Sequence, residues 1–355
     1  MMNKTVMSIM RLSISSLLIL ILISCNNSNN KPDVSNIEVD VKIERFDKDF
    51  FSIDTNHLDQ SLNAVNKKYP AFFPLYVQFL SPIEPMVKQQ GKTYDEATRI
   101  FFRTIKPLAD EVEKKYSNLD NIQRGLGKSF KYVKYYYPSF KTPAVIASVE
   151  SFNPDDPQEV YGTTLYHDTL IISLQMFLGK DFGGYDPVQY PDYLRRRFSR
   201  EYIVPNAIRS IVNDIYPDTS ETASLIEMMI ERGKQWFLKQ KFLPDAPDSL
   251  ITGFSKSQTE FVEKNEGNIW TEFLKDTPDP YTVDQERLKN YLGEGPFTQD
   301  MPHDLNGGGT PGNIGQWIGW RIVKKFAENN SKMNVQEILA TPAKKIFQEA
   351  KYKPK

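Results

Sequence analysis

Hydrophobic and charged residues alternate strictly at the start of the globular region, where Ile37, Val39, Val41 and Ile43 are separated by Glu38, Asp40 and Lys42. A period of two puts the apolar set on one face, so residues 37–46 predict a half-buried strand. The period then lengthens: Leu58, Leu62 and Val65 are spaced for one face of a helix. Helical patterns follow over 94–105, 107–116 and 119–136, with Pro138 ending the last. Three strands come next, 143–149, 159–167 and 168–177, and His167-Asp168 marks the turn of an antiparallel hairpin between the last two. Helices resume over 188–202, over 204–215 (stopped by Pro217) and over 220–244, with Ser220 as the expected N-cap. Further helices are predicted over 255–275 and 284–292, then within the stretch 303–330, where "GNIGQWIGW" (312–320) lies on a helix, and last over about 334–350. Helices, a short antiparallel sheet and more helices make an α+β domain, mostly helical and single.

Ahead of this pattern the chain behaves differently. Lys4 and Arg11 precede an apolar run from Leu12 to Ile23, too short for the ~20 residues that span a bilayer. The run closes on Leu22-Ile23-Ser24-Cys25, which resembles a bacterial lipobox, and Cys25 is the only cysteine of the 355 residues. One thiol forms no internal disulfide and no CxxC metal site. The reading is a signal peptide over 1–24, a lipidated Cys25 opening a polar tether over 25–36, and a globular domain over 37–355. A signal peptide cleaved nearby, with an incidental cysteine, is the alternative. Asn26 after the cysteine, and the absence of an acidic run in "NNSNNKPD", place the anchor on the periplasmic face of the outer membrane.

Charge excludes one class of partner. Without residues 1–24, 42 basic side chains face 45 acidic ones, and no basic stripe interleaved with aromatics is present, so nucleic acid is not expected. The densest basic stretch, "YLRRRFSREY" at 193–202, reads as a solvated helix face with an acidic partner nearby; docking of a phosphate or an acidic protein is the alternative.

The lipobox together with "IERFDKDFF" (43–51), "LIEMMIERGKQWFLKQKFLP" (225–244) and "GGGTPGNIGQWIGWRIV" (307–323) resembles the gliding-motility lipoprotein B family of Bacteroidetes. That family is distantly similar to gluzincin-type zinc peptidases, which implies a degenerate peptidase-like fold. It also implies a role in gliding and in the type IX secretion machinery, with other gliding or secretion proteins as partners. A zinc peptidase needs two histidines at i,i+4 with a glutamate between them. The helix after the hairpin, "VPNAIRSIVNDIYP", offers neither, and the three histidines, His57, His167 and His303, include no pair at helical spacing. No cofactor, metal or catalytic residue is therefore expected. Glu227 and Glu231, with Arg209 on the preceding helix, are the candidates for a vestigial cleft, Glu231 standing where a third ligand would be.

Other chemistries find little support. "NGGGTPG" lacks the Lys-Ser/Thr of a phosphate loop and reads as a flexible loop before a helix. Gly315 and Gly319 share one helix face, which predicts close packing against the 204–215 helix beside Ile314, Ile318 and Ile322. The expected function is a non-catalytic, membrane-tethered component of a motility or secretion assembly. A periplasmic hydrolase with an unrecognised site, and a lipoprotein that binds a glycan or small ligand, are the alternatives.

Overall fold

A computed structural model describes residues 31–153, 156, 159–303 and 309–355, so the signal-peptide and Cys25 assignments and residues 306–308 lie outside the described residues. Residues Val34–Lys355 form one compact unit. Four strands, β1 (Ile43–Arg45), β2 (Ala144–Ser148), β3 (Thr163–Tyr166) and β4 (Thr169–Ser173), are ordered β1-β2-β4-β3. The sheet is mixed, not antiparallel as the sequence suggested. β1 runs parallel to β2, with Ile43 opposite Val145, and β2 runs parallel to β4, with Val145 opposite Leu170. Only β3 and β4 are antiparallel, joined at His167-Asp168 with His167 at φ 50°. Parallel pairing needs long connections, and the helices between β1 and β2 supply one of them.

The 37–43 alternation is real in burial, since Val41 and Ile43 are buried while Glu38, Asp40 and Lys42 are exposed. Only Ile43–Arg45 pairs as strand, because the preceding backbone lies along a helix instead. Lys131 and Lys134 of that helix donate to the carbonyls of Ser35 and Glu38. Gln123, on the same helix, accepts from the Ile43 N–H at 3.0 Å.

The longer helices before the sheet are α1 (Leu58–Lys68), α2 (Ile83–Gln90), α3 (Tyr94–Lys115) and α4 (Asp120–Tyr136). Thr93 and Glu96 close a capping box at the start of α3, which continues through Pro107 where the sequence suggested a break. After the sheet, the expected 188–202 helix is reduced to a turn at Asp192–Arg195 and a 3-10 turn at Arg200–Tyr202. Pro187 and Pro191 interrupt it, and Tyr185, Tyr190 and Phe198 gather its aromatic residues into a buried cluster.

Helices α5 (Ile203–Ile215) and α6 (Leu225–Phe242) follow. The N-cap of α6 is Ser224 rather than Ser220, because Ser224 and Glu227 form the reciprocal capping box. The 255–275 stretch divides at Asn265 into α7 (Lys256–Lys264) and α8 (Glu266–Asp276). Helices α9 (Gln285–Leu292) and α10 (Ile314–Asn329) come next. The 334–350 stretch is broken by Pro342, which forces Thr341 into an extended conformation between a short helix at Val335–Ala340 and α11 (Ala343–Ala350).

Gly319 packs against α6 and Gly315 against the end of α9 and Met229 of α6, neither against the 204–215 helix. A Cβ on Gly319 would stand 1.7 Å from the Met229 carbonyl oxygen, and one on Gly233 would stand 2.4 Å from the Trp320 nitrogen. Gly315 meets Tyr291, Leu292 and Met229 less tightly, at 2.9–3.1 Å. The segment feeding α10 is not loose over its described part: Gly309–Asn313 is buried, and Gly312 lies against the Gly295 backbone.

Candidate functional site

Helix α5 turns its apolar residues Ile208, Ile211 and Val212 into the core, and Ser210 donates to the Thr163 carbonyl of β3. That choice leaves Asn206, Arg209 and Asn213 together on another face, at i, i+3 and i+7. Helix α6 does the same with Arg232, Gln235, Trp236 and Lys239. Between the two faces lies a cleft of about 460 Å³, completed by Arg197, Tyr161, Glu294, Asn313 and Gln316 from other segments.

Among the described residues, four basic side chains and two carboxylates line this cleft. Both carboxylates are engaged. Glu294 accepts from the two terminal nitrogens of Arg197, each at 3.2 Å, and Asp218 accepts from Arg232 Nε at 3.0 Å. Burial alone would raise both acids, but their arginine partners and hydrogen bonds outweigh it and hold them below the usual carboxylate range. Arg197 is 4% exposed and opposed to Glu294, although Glu294 keeps solvent contact on its other side. It is therefore not on the solvated helix face expected for 193–202.

Arg209 stacks on Tyr161, its guanidinium carbon 3.4 Å from the ring centroid, and Arg197 lies 5.3 Å from the same ring. Lys239 donates to the carbonyls of Leu250 and Ile251 at 3.0 and 2.9 Å. Burial, reinforced by the charges of Arg209 and Arg197, pushes its ammonium down to about 7.

Of the three residues proposed for a vestigial cleft, the structure puts only Arg209 in this one. Glu227 accepts from Ser224 in the capping box. Glu231 belongs to a separate node: it accepts from Tyr216 at 2.5 Å and from buried Lys234 at 2.8 Å. Lys234 also donates to the carbonyls of Leu339 and Thr341, tying α6 to the C-terminal helices. The histidines are scattered, with His57 beside Asp54, His167 in the hairpin turn and His303 bridged to Gly309. Among the described residues no three His, Cys, Asp or Glu side chains cluster as a metal site would require. Among them, too, no helix is long and apolar enough to cross a membrane.

Sequence reasoning missed Arg197, Lys239, Glu294 and Asn313. The available signal was the polar row at 232, 235, 236 and 239 in a helix otherwise apolar on several faces, a row that solvent alone would not demand.

The fold and the cleft define a mostly helical α+β protein with a polar, ligand-sized depression between two of its helices. Over residues 27–354 the chain matches the family described as gliding motility protein GldB, and it belongs to that family of gliding motility lipoproteins. No curated protein and no solved structure matches it.

Proposed function

We propose that the chain is a non-catalytic component of the gliding motility machinery and of the type IX secretion apparatus that shares parts with it. In this reading acyl chains on Cys25 hold it to the periplasmic face of the outer membrane, and the domain works by contact with other proteins of the assembly. The observation that carries the non-catalytic reading is the state of the cleft carboxylates. General acid–base work needs an uncommitted group poised near the working pH, whereas Asp218 and Glu294 are each ion-paired with an arginine and held ionised, and Lys239, brought to about 7 by burial, is committed to the Leu250 and Ile251 carbonyls. A peptidase-like ancestry is part of the same reading. It is supported by the chain order alone, α5 being the first helix of more than four residues after the hairpin.

Crosslinking in whole cells followed by recovery of the tagged protein tests the assignment. Gliding or secretion proteins should be recovered in stoichiometric amounts, and Cys25→Ser should abolish palmitate labelling and gliding together. A protein recovered alone, or a fully motile Cys25→Ser strain, would contradict it. The ligand-binding alternative is favoured by one specific feature, the cleft of about 460 Å³ lined by polar and aromatic side chains between α5 and α6.

A further inference from the structure

We propose that Glu150 and Glu159 form a proton-operated catch, which holds Tyr161 in the wall of the α5/α6 cleft and releases it when both carboxyls are ionised. The inference is independent of the motility assignment. Its first support is where Glu150 sits. The side chain is 9% exposed where the chain leaves β2, and Tyr76 pins the preceding backbone by donating to the Val149 carbonyl at 2.6 Å. Ser148 and Ser173, opposite each other at the ends of parallel β2 and β4, donate one to each oxygen of its carboxyl group. The ionisable groups facing it are Glu159 and the phenol of Tyr76, which also feels Asp47. Asp47 is itself committed to Arg45 at 2.6 Å, and among the described residues no cation acts on Glu150. Buried charges are ordinarily paired, and two hydroxyls do not replace a countercharge. The closed site therefore favours the neutral acid, and burial raises Glu150 to about 7.

The second support is a line of contacts from that carboxyl to the cleft. Three residues on, the Asn153 N–H donates to Glu159 Oε1 at 2.6 Å, and the Tyr190 hydroxyl donates to Oε2. Glu159 is raised as well, by burial first, with Asp156 adding repulsion and the phenols of Tyr190 and Tyr185 facing it. It opens a one-turn 3-10 helix, Glu159–Tyr161, which the Gly162 N–H closes by donating to the Glu159 carbonyl at 2.7 Å. Tyr161 then enters the cleft. Its carbonyl accepts from Asn206 Nδ2 at 2.7 Å, and its ring stacks on Arg209.

The direction follows from linkage. A carboxyl raised in the closed form favours closure fully below its ordinary value of 4.5, and that contribution is lost as pH rises through about 7. An ionised Glu150 is relieved when the 150–153 segment shifts toward water, which withdraws the Asn153 N–H from Glu159. The two carboxylates repel each other across the same buried space. The turn then loses its anchor, and Tyr161 leaves Arg209. The cleft thus has two forms, walled by Tyr161 below neutrality and open on that side above it.

Hydrogen exchange of the full-length protein in detergent, read by mass spectrometry with residue-level fragmentation, tests this between pH 6 and pH 8.5. The Gly162 amide reports the catch, and the buried amides of α6 report the rest of the molecule. Once corrected for intrinsic exchange, protection follows the local opening equilibrium. A carboxyl moved from 4.5 to about 7 makes Gly162 protection fall about tenfold over that range, with α6 unchanged within about twofold. Glu150→Gln keeps a neutral partner for both serines and should hold the fall below about threefold, the remainder being the titration of Glu159. Should that variant not fold, Glu159→Gln takes its place and should shrink the fall as well. A wild-type fall below about twofold, an equal fall in α6, or an undiminished fall in a folded variant overturns the proposal. Each of those failures leaves the motility reading standing, since that depends on the Cys25 and crosslinking results.

Discussion

Placing one methyl group on Gly319 should separate the two most tightly packed helices of the protein. The built Cβ lies 1.7 Å from the Met229 carbonyl oxygen, 2.2 Å from its carbon and 2.9 Å from the Ile230 nitrogen. All three are backbone atoms of α6, so no rotamer change relieves the clash. Non-bonded heavy atoms pack best at about 3.5–4.0 Å, so the helices must part by roughly 2 Å, and a gap even half that size forfeits much of the dispersion energy across it. Gly233 on the opposite helix is equally close to Gly319 and Trp320, so the contact gives on neither side. Overpacking costs about 1–3 kcal/mol where side chains can adjust and more where they cannot. Against that, alanine gains only ~1 kcal/mol in helix propensity. We expect Gly319→Ala to destabilise by about 3 kcal/mol, which at a urea slope of about 3 kcal/mol/M lowers the midpoint by roughly 1 M. Gly315→Ala meets atoms at 2.9–3.1 Å, two of them on side chains, and should cost about 1 kcal/mol. Gly127→Ala is the control: it lies in α4 with nothing within 4 Å and should gain up to ~1 kcal/mol. Urea unfolding of residues 31–355 reads all three. A Gly319→Ala midpoint equal to or above wild type would refute the backbone-contact argument.

Glu231→Gln removes the countercharge from buried Lys234 and should cost about 2 kcal/mol in the same assay, a loss smaller than ~0.5 kcal/mol refuting the node. Glu150, buried at the end of β2 and accepting from Ser148 and Ser173, is raised by burial to about 7. A carboxyl raised in the folded state contributes stability that is complete below its ordinary value of 4.5 and lost as pH rises through about 7. Glu150→Gln should therefore gain on wild type by up to about 3 kcal/mol between pH 4.5 and 8, and parallel pH profiles would contradict this.

The sequence made the helices legible where an apolar stripe and a stop signal coincided, as at Tyr136-Tyr137-Pro138 and Ile215-Tyr216-Pro217. It misled where a local signal met a tertiary partner. Ile37 to Ile43 alternates like a strand, yet lysines of α4 occupy the carbonyls of Ser35 and Glu38. Glycine spacing showed that some backbone approaches α10 closely, but periodicity carries no information about which helix that is. The site was the least legible part. Arg197 and Glu294 are 97 residues apart and meet only through the fold. The polar rows of α5 and α6 resemble solvated faces until the helices are set opposite each other. Glu231 drew attention through its spacing from Glu227, and its actual partner, Lys234, is an ordinary i+3 neighbour.

The central claim, a gliding lipoprotein whose cleft does no acid–base chemistry, is tested most directly by replacing the chromosomal gene with an Asp218→Asn/Glu294→Gln variant and measuring gliding speed alongside protein abundance. These two residues are the carboxylates of the cleft among the described residues. The account predicts that cells with wild-type abundance of the variant glide at wild-type speed. Loss of gliding at undiminished abundance would contradict it.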